Sequence, residues 1–185
     1  MIIILSAPSG CGKTSIAKKI QSLDSKIILS ISATTRKPRA SEIDGVNYFF
    51  KSISDFKQMD LLESAEIYGN LYGTPKQFVD TQLKNGKDII FDIDSNGAYQ
   101  IMQRSKAKIV SIFILPPNIE ALRQRLLSRN QDSQIDIDLR LKEASNELKH
   151  AKNYKYNVIN DDFDQAIIEI QNIIIQKRLI FEKKQ

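Results

Sequence analysis

The chain has 185 residues, room for one domain with a sizeable core; 42% are hydrophobic and 26% charged, the balance of an ordinary globule. No apolar run approaches the about 20 residues needed to span a membrane. A single cysteine excludes an internal disulfide and fits a reducing, cytoplasmic setting. The net charge is +5, yet the lysines are scattered and the arginines gather in two short stretches, 36–39 and 123–129, which suits small anionic phosphates better than nucleic acid.

In chain order, Ile2-Ile3-Ile4-Leu5 predicts a strand over 2–6 that enters the fold directly, not a signal peptide. Ala7-Pro8-Ser9-Gly10-Cys11-Gly12-Lys13-Thr14 follows at once, and a helical pattern opens over 13–23. Strand, glycine-rich loop and helix in this order are the P-loop layout, with Ala7 where the first glycine usually stands. Such a loop wraps backbone N–H groups around phosphate oxygens, at the positive end of the following helix. Lys13 would add charge at the β- and γ-phosphates, and Thr14 a hydroxyl for Mg²⁺. Cys11 sits near Lys13 and a helix N-terminus, both of which favour thiolate, so ATP-protected inactivation by a thiol reagent is one expectation. The simpler one is a small filler in the loop.

Further strands are expected over 27–32, 88–92, 109–115 and 156–159, and helices over 75–84, 96–104, 118–129, 136–152 and 163–181. Ile89-Ile90-Phe91 and the run 109–115 are continuous, as in parallel strands buried on both faces. Pro75 fits a first helical turn, and Asn118 an N-cap. The alternation predicts an α/β fold: a P-loop-type parallel sheet flanked by helices. Two regions break the rhythm. Residues 33–74 read as a small inserted subdomain with short strands; the polar stretch 130–135 reads as a lid or an ordinary surface loop.

A second site is suggested by Ser32-Ala33-Thr34-Thr35-Arg36-Lys37-Pro38-Arg39, where a proline stiffens the chain between two arginine forks able to grip phosphate oxygens. Tyr48 and Tyr72 could add hydroxyl donors. A solvated loop with surface arginines is the plain alternative.

Residues 32–39, E-I-D-G-V-N-Y-F-F at 42–50 and E-S-A-E-I-Y-G-N-L-Y-G-T at 63–74 resemble the GMP-binding region of guanylate kinases. D-I-I-F-D-I-D at 88–94, S-I-F-I-L-P-P at 111–117, R-L-L-S-R at 125–129 and V-I-N-D-D-F-D at 158–164 continue the likeness in order. The resemblance implies ATP + GMP → ADP + GDP with Mg²⁺, ATP bound by 7–14 and Asn160, and a core of 1–32, 75–129 and 153–185 carrying a GMP-binding subdomain at 33–74 and a lid at about 125–152. It implies that Ser32, Arg36, Arg39, Tyr48 and Tyr72 hold the GMP phosphate. Glu63 and Thr74, which replaces a more usual serine, would face the guanine, with Asp92 and Asp94 nearby. Guanine offers adjacent N–H donors that one carboxylate can accept; adenine lacks that pair. Asp92 is left between the guanine side and assistance to Mg²⁺ through water. Arg125, Arg129 and Arg140 resemble the lid arginines that close over the transferring group. Asn160 and Asp161 resemble the adenine-side motif, although N-D-D also suits a helix start.

The acceptor phosphate is already ionised, so no strong general base is expected, and His150 is read as part of a charged helix face. Arg123 matches no motif position and is left as surface. Departures from the family pattern are Ala7, Asn96 in Ser95-Asn96-Gly97, Asn130 after the lid arginine, and a stretch between Phe56 and Glu63 shorter by about one turn. Asp94-Ser95-Asn96-Gly97 also spells the GTPase-like D-x-x-G, but no N-K-x-D accompanies it. The alternatives are a guanylate-kinase-like binding module, disfavoured by the intact Lys13 and Thr14, and a kinase of another small phosphate such as a ribose bisphosphate, disfavoured by Glu63 and the tyrosines.

Overall fold

Strand β1 (Ile2–Ser6) is buried along its whole length. It is the middle strand of a five-stranded parallel sheet with β2 (Ile27–Leu29), β7 (Asp88–Asp92), β8 (Ile109–Leu115) and β9 (Tyr156–Ile159), in the order β2-β7-β1-β8-β9. Ile4 is in register with Phe91 on one side and Ser111 on the other. The computed structural model describes residues 1–67, 69–128 and 134–183, with backbone alone for 134–136.

Alternation along the strands sorts the core into two layers. Ile3, Leu5, Ile90 and Ile112 face helices α1 (Lys13–Leu23) and α7 (Phe163–Glu182), which contribute Ile16, Ile20, Ile170 and Ile174. Ile2, Ile4, Ile89, Phe91 and Phe113 face α3 (Lys76–Lys84) and α4 (Ser95–Arg104), which contribute Val79 and Ile101. Covering both faces is what lets these strands be apolar at every position. Among the described residues no helix is long and apolar enough to cross a membrane.

The chain leaves the main sheet sooner than its apolar run suggests. β2 ends at Leu29, and Ala33–Thr34 (β3) belongs to a second sheet with Phe49–Phe50 (β4), Leu61–Ile67 (β5) and Asn70–Pro75 (β6), ordered β4-β3-β6-β5. Between β4 and β5 stands only the five-residue helix α2 (Ile53–Lys57), capped by Ser52, whose hydroxyl accepts from the Asp55 N–H at 3.1 Å. The stretch between Phe56 and Glu63, which reads short in the sequence, runs from this helix into β5. Pro75 closes β6 and is the N-cap of α3, so the helix starts one residue later than expected.

Helix starts follow local chemistry. Asn118 accepts from the Ala121 N–H at 2.7 Å and opens α5 (Ile119–Leu127). Asp94 does the same for α4 through Gly97 at 2.8 Å, and Asp162, rather than Asn160, caps α7 through Gln165 at 2.8 Å. The helix expected over 136–152 is two elements, α6 (Gln134–Glu147) and a 3₁₀ helix, Leu148–Asn153. Arg123 is more than surface: it donates to Asp138 at 2.9 Å and ties α5 to α6.

Candidate active site

The site opens at the carboxyl ends of β1 and β7, where open α/β sheets gather ligands. β1 runs straight into loop 7–12. The loop turns twice through the left-handed region, at Gly10 (φ 91°) and Gly12 (φ 82°), a conformation open to glycine at little steric cost. At Gly12 space adds a second demand: a Cβ there would lie 2.9 Å from Asn160 Nδ2. That amide donates to the Cys11 carbonyl at 2.9 Å and braces the loop from behind. Arg125 braces the brace, donating to the Asn160 carbonyl at 2.7 Å. Asn160, expected on the adenine side, thus grips the loop backbone, a role its motif does not spell out.

Helix α1 starts on this loop with no side-chain cap and no acidic residue in its first turn. Its positive end is left to whatever fills the loop. That space is a cavity of about 340 Å³ lined by the loop, Lys13, Thr14, Asp94 and Glu147. Lys13 Nζ donates to the Ile93 carbonyl at 2.8 Å and pairs with Asp92 Oδ1 at 2.9 Å. Thr14 Oγ1 donates to Asp92 Oδ2 at 2.5 Å. Both Asp92 oxygens are therefore engaged on the loop side.

Thr14 spends its proton on Asp92, and its oxygen lone pairs stay available. A hydroxyl and a carboxylate are hard oxygen donors suited to Mg²⁺, which takes few protein ligands and arrives with substrate phosphates. Among the described residues no three His, Cys, Asp or Glu are gathered as a metal cage. The donor set fits a cation carried in on a nucleotide.

Cys11 overturns the reactive-thiol expectation. It is fully buried, packed in the same cluster as Leu122 and Leu126 of α5 and Ile137 of α6. Burial pushes its thiol up to about 12, and the nearby Arg125 charge only partly opposes this. Helix-end and lysine proximity lose to desolvation. Native protein treated with iodoacetamide near pH 8 should stay unlabelled and active, whereas the unfolded chain takes one adduct by mass spectrometry.

The second half is built on the small sheet. Glu63 on β5 is buried, with 6% of its surface exposed. Its Oε1 accepts from Thr74 Oγ1 at 2.8 Å, and Ser32 Oγ lies 3.2 Å from the same hydroxyl. Burial, helped by the Asp94 charge, raises the Glu63 pKa, and the Thr74 hydrogen bond works against that rise. Gly97 in the first turn of α4 comes so close that a Cβ would lie 3.4 Å from Glu63 Oε2. Asp94-Ser95-Asn96-Gly97 is thus a helix start packed against the Glu63 carboxylate, not a GTPase switch.

Arg36, beside this pocket, is held in place by a residue the sequence reading did not single out. Glu42 takes both of its carboxylate oxygens to Arg36 Nη2, at 2.8 and 3.0 Å, and Oε2 also accepts the Arg39 N–H at 2.8 Å. Glu42, and after it the Tyr72 side chain, raise the Arg36 pKa, while Arg36 and the Arg39 N–H hold Glu42 low. The Arg36 guanidinium lies 5.5 Å from the Tyr48 ring centre and 5.9 Å from that of Phe50. Tyr48 and Tyr72 meet edge to face at 6.0 Å, so the expected phosphate-side groups form one cluster, with Arg39 exposed at its rim. A glutamate six residues after an arginine carries no local signature; only the loop's return brings them together.

The whole chain has clear relatives. Residues 1–177 match the family model described as guanylate kinase. The guanylate kinase of Rickettsia felis is 50% identical over 182 residues, 96% of this chain and 94% of that one. That of Mesorhizobium japonicum is 44% identical over 183 residues, 97% of this chain and 84% of that one. The crystal structure of guanylate kinase from Anaplasma phagocytophilum superposes with a TM-score of 0.72 at 32% identity, covering 96% of this chain and 85% of that one. The chain belongs to the guanylate kinase family.

Of the three arginines expected at the lid, Arg125 donates to the Asn160 carbonyl at the end of β9. Arg140 is half-buried on α6. Arg129 lies outside the described residues, as do Asn130 and residues 131–133. His150 is exposed on the 3₁₀ helix.

Proposed function

We propose that this chain carries out the guanylate kinase reaction, ATP + GMP → ADP + GDP, with loop 7–14 as the donor half and the small sheet as the acceptor half. One observation supports this division above the rest. The segment 92–97 serves both halves: Asp92 engages Lys13 and Thr14, and Gly97 packs on Glu63. A donor phosphate and an acceptor nucleotide bound there would share one wall.

In this reading Lys13 and the loop N–H groups hold the β- and γ-phosphates. Thr14 supports Mg²⁺, with Asp92 acting on it through water, and the ion when bound offsets charge on the phosphate oxygens. Arg36 and Arg39, with Ser32, Tyr48 and Tyr72, hold the GMP phosphate. Glu42 orients Arg36 until that phosphate arrives. Glu63 and Thr74 read the guanine, with Asp94 fixing the start of α4 beside them. Arg125 acts through the loop it braces. Arg129 and Arg140 belong to the lid that excludes water, which would otherwise compete as acceptor. Positioning and charge stabilisation suffice, because the attacking phosphate oxygen is already ionised. Residues 33–74 form the GMP-binding unit and about 125–152 the lid. A cytoplasmic setting, where both nucleotides are pooled, suits these substrates.

The test is direct: purified protein with ATP, GMP and Mg²⁺ yields ADP and GDP in equal amounts by chromatography, and chelation with EDTA stops it. ATP consumption without GDP formation would reject the proposal.

A further inference from the structure

Glu147, the last residue of α6, has no part in the roles above, yet it lines the phosphate cavity with the loop, Lys13 and Asp94. There its carboxylate shares the space with Ser9 of the loop and feels the Lys13 charge. Both groups belong to the cradle that a donor nucleotide would fill, so an acidic side chain from the lid helix stands where phosphate oxygens are expected. The group is half-buried, and burial, with Asp94 and Glu143 nearby, raises its pKa. An incoming triphosphate meets a like charge in a partly desolvated space, where repulsion is weakly screened.

We propose that Glu147 is a positioning residue at the donor site: in the empty protein its carboxylate shares the phosphate cradle with the loop and Lys13, and the donor triphosphate displaces it. The inference rests on loop 7–14 being the ATP site.

The experiment measures ATP, ADP, adenosine and GMP binding, each without the second substrate, by titration calorimetry for the wild type, Glu147→Gln and Glu147→Ala. Both variants should bind ATP roughly tenfold tighter, the size expected when one like charge is removed from a partly desolvated phosphate site. The gain should shrink for ADP and vanish for adenosine, with GMP affinity within about twofold of wild type. A merely structural role would not grade the effect by phosphate number. Thermal melts identify a variant that fails to fold, and the near-isosteric Gln alone then decides. ATP binding that is unchanged or weaker in the folded variants overturns the inference, as does equal tightening for adenosine. A wild type that binds no ATP overturns the donor-site reading and this inference with it, whereas a wild type that binds ATP no more weakly than Glu147→Gln overturns this inference alone.

Discussion

Lys13→Ala should lower kcat for ATP-dependent GMP phosphorylation by roughly two to three orders of magnitude, the range seen when one preorganised charge stabiliser is removed. Lys13 Nζ is held at 2.8 Å by the Ile93 carbonyl and at 2.9 Å by Asp92, so the ammonium is aimed into the cavity before any ligand arrives. Its charge then needs no reorganisation at the moment of transfer. Truncation also leaves Asp92 with Thr14 as its one remaining hydrogen-bond donor on this side, and makes the cradle less favourable to anions. The fold should survive, because the core beneath the loop is made by Cys11, Leu122 and Leu126 and not by Lys13. A coupled assay beside a thermal melt checks both halves. A folded variant with wild-type turnover would remove the loop from the chemistry.

Glu63→Gln should damage recognition of GMP more than any change on the donor side. The buried carboxylate already accepts from Thr74 on one oxygen, and its other oxygen lies beside Gly97. Guanine can supply the N–H donors such an anion requires; adenine would leave the charge unsatisfied. Sites built on this kind of hydrogen bond discriminate by about 10⁴. Gln keeps the shape but presents an amide N–H toward guanine's own donors. The GMP-over-AMP ratio of kcat/KM should therefore fall by at least about 10²-fold, while the KM for ATP moves little.

A pH signature accompanies this change. Burial raises the Glu63 pKa, so as pH falls the group takes up a proton above the ordinary carboxylate range. The protonated acid has one acceptor fewer, and the KM for GMP should rise through that window. GMP's own phosphate titrates in both proteins, so the difference between the wild-type and Glu63→Gln profiles isolates Glu63. Superimposable profiles would mean that its charge is not read.

Much of this was legible in the sequence because the signals are local. The apolar runs at 2–5, 89–91 and 109–115 announce buried strands, and Asn118 caps the helix it was expected to cap. The phosphate loop is a contiguous string, and the order of the later motifs carries the family. What escaped depends on chain segments distant in sequence or on returning loops. Glu42 clamps Arg36 because the loop after Arg39 folds back. Asn160 reaches across 149 residues to the Cys11 carbonyl, possible only because β9 ends beside the loop and Gly12 has no Cβ. Arg123 finds Asp138 by helix packing. The thiolate alternative for Cys11 fails for the same reason: the loop's position favours thiolate, but the packing of α5 and α6 buries the side chain, as a small filler requires. Glu147 ends a helix whose pattern runs on without a break toward 152, so nothing local marks it as the residue that meets the phosphate loop.

The central claim is that a phosphate-gripping loop faces a guanine-reading carboxylate across one shared wall. An acceptor panel tests it most directly: GMP, AMP, CMP and UMP, each with saturating ATP and Mg²⁺, scored by the kcat/KM of nucleoside diphosphate formation. GMP should exceed every other acceptor by about 10³-fold or more. AMP phosphorylated as efficiently as GMP would contradict the account.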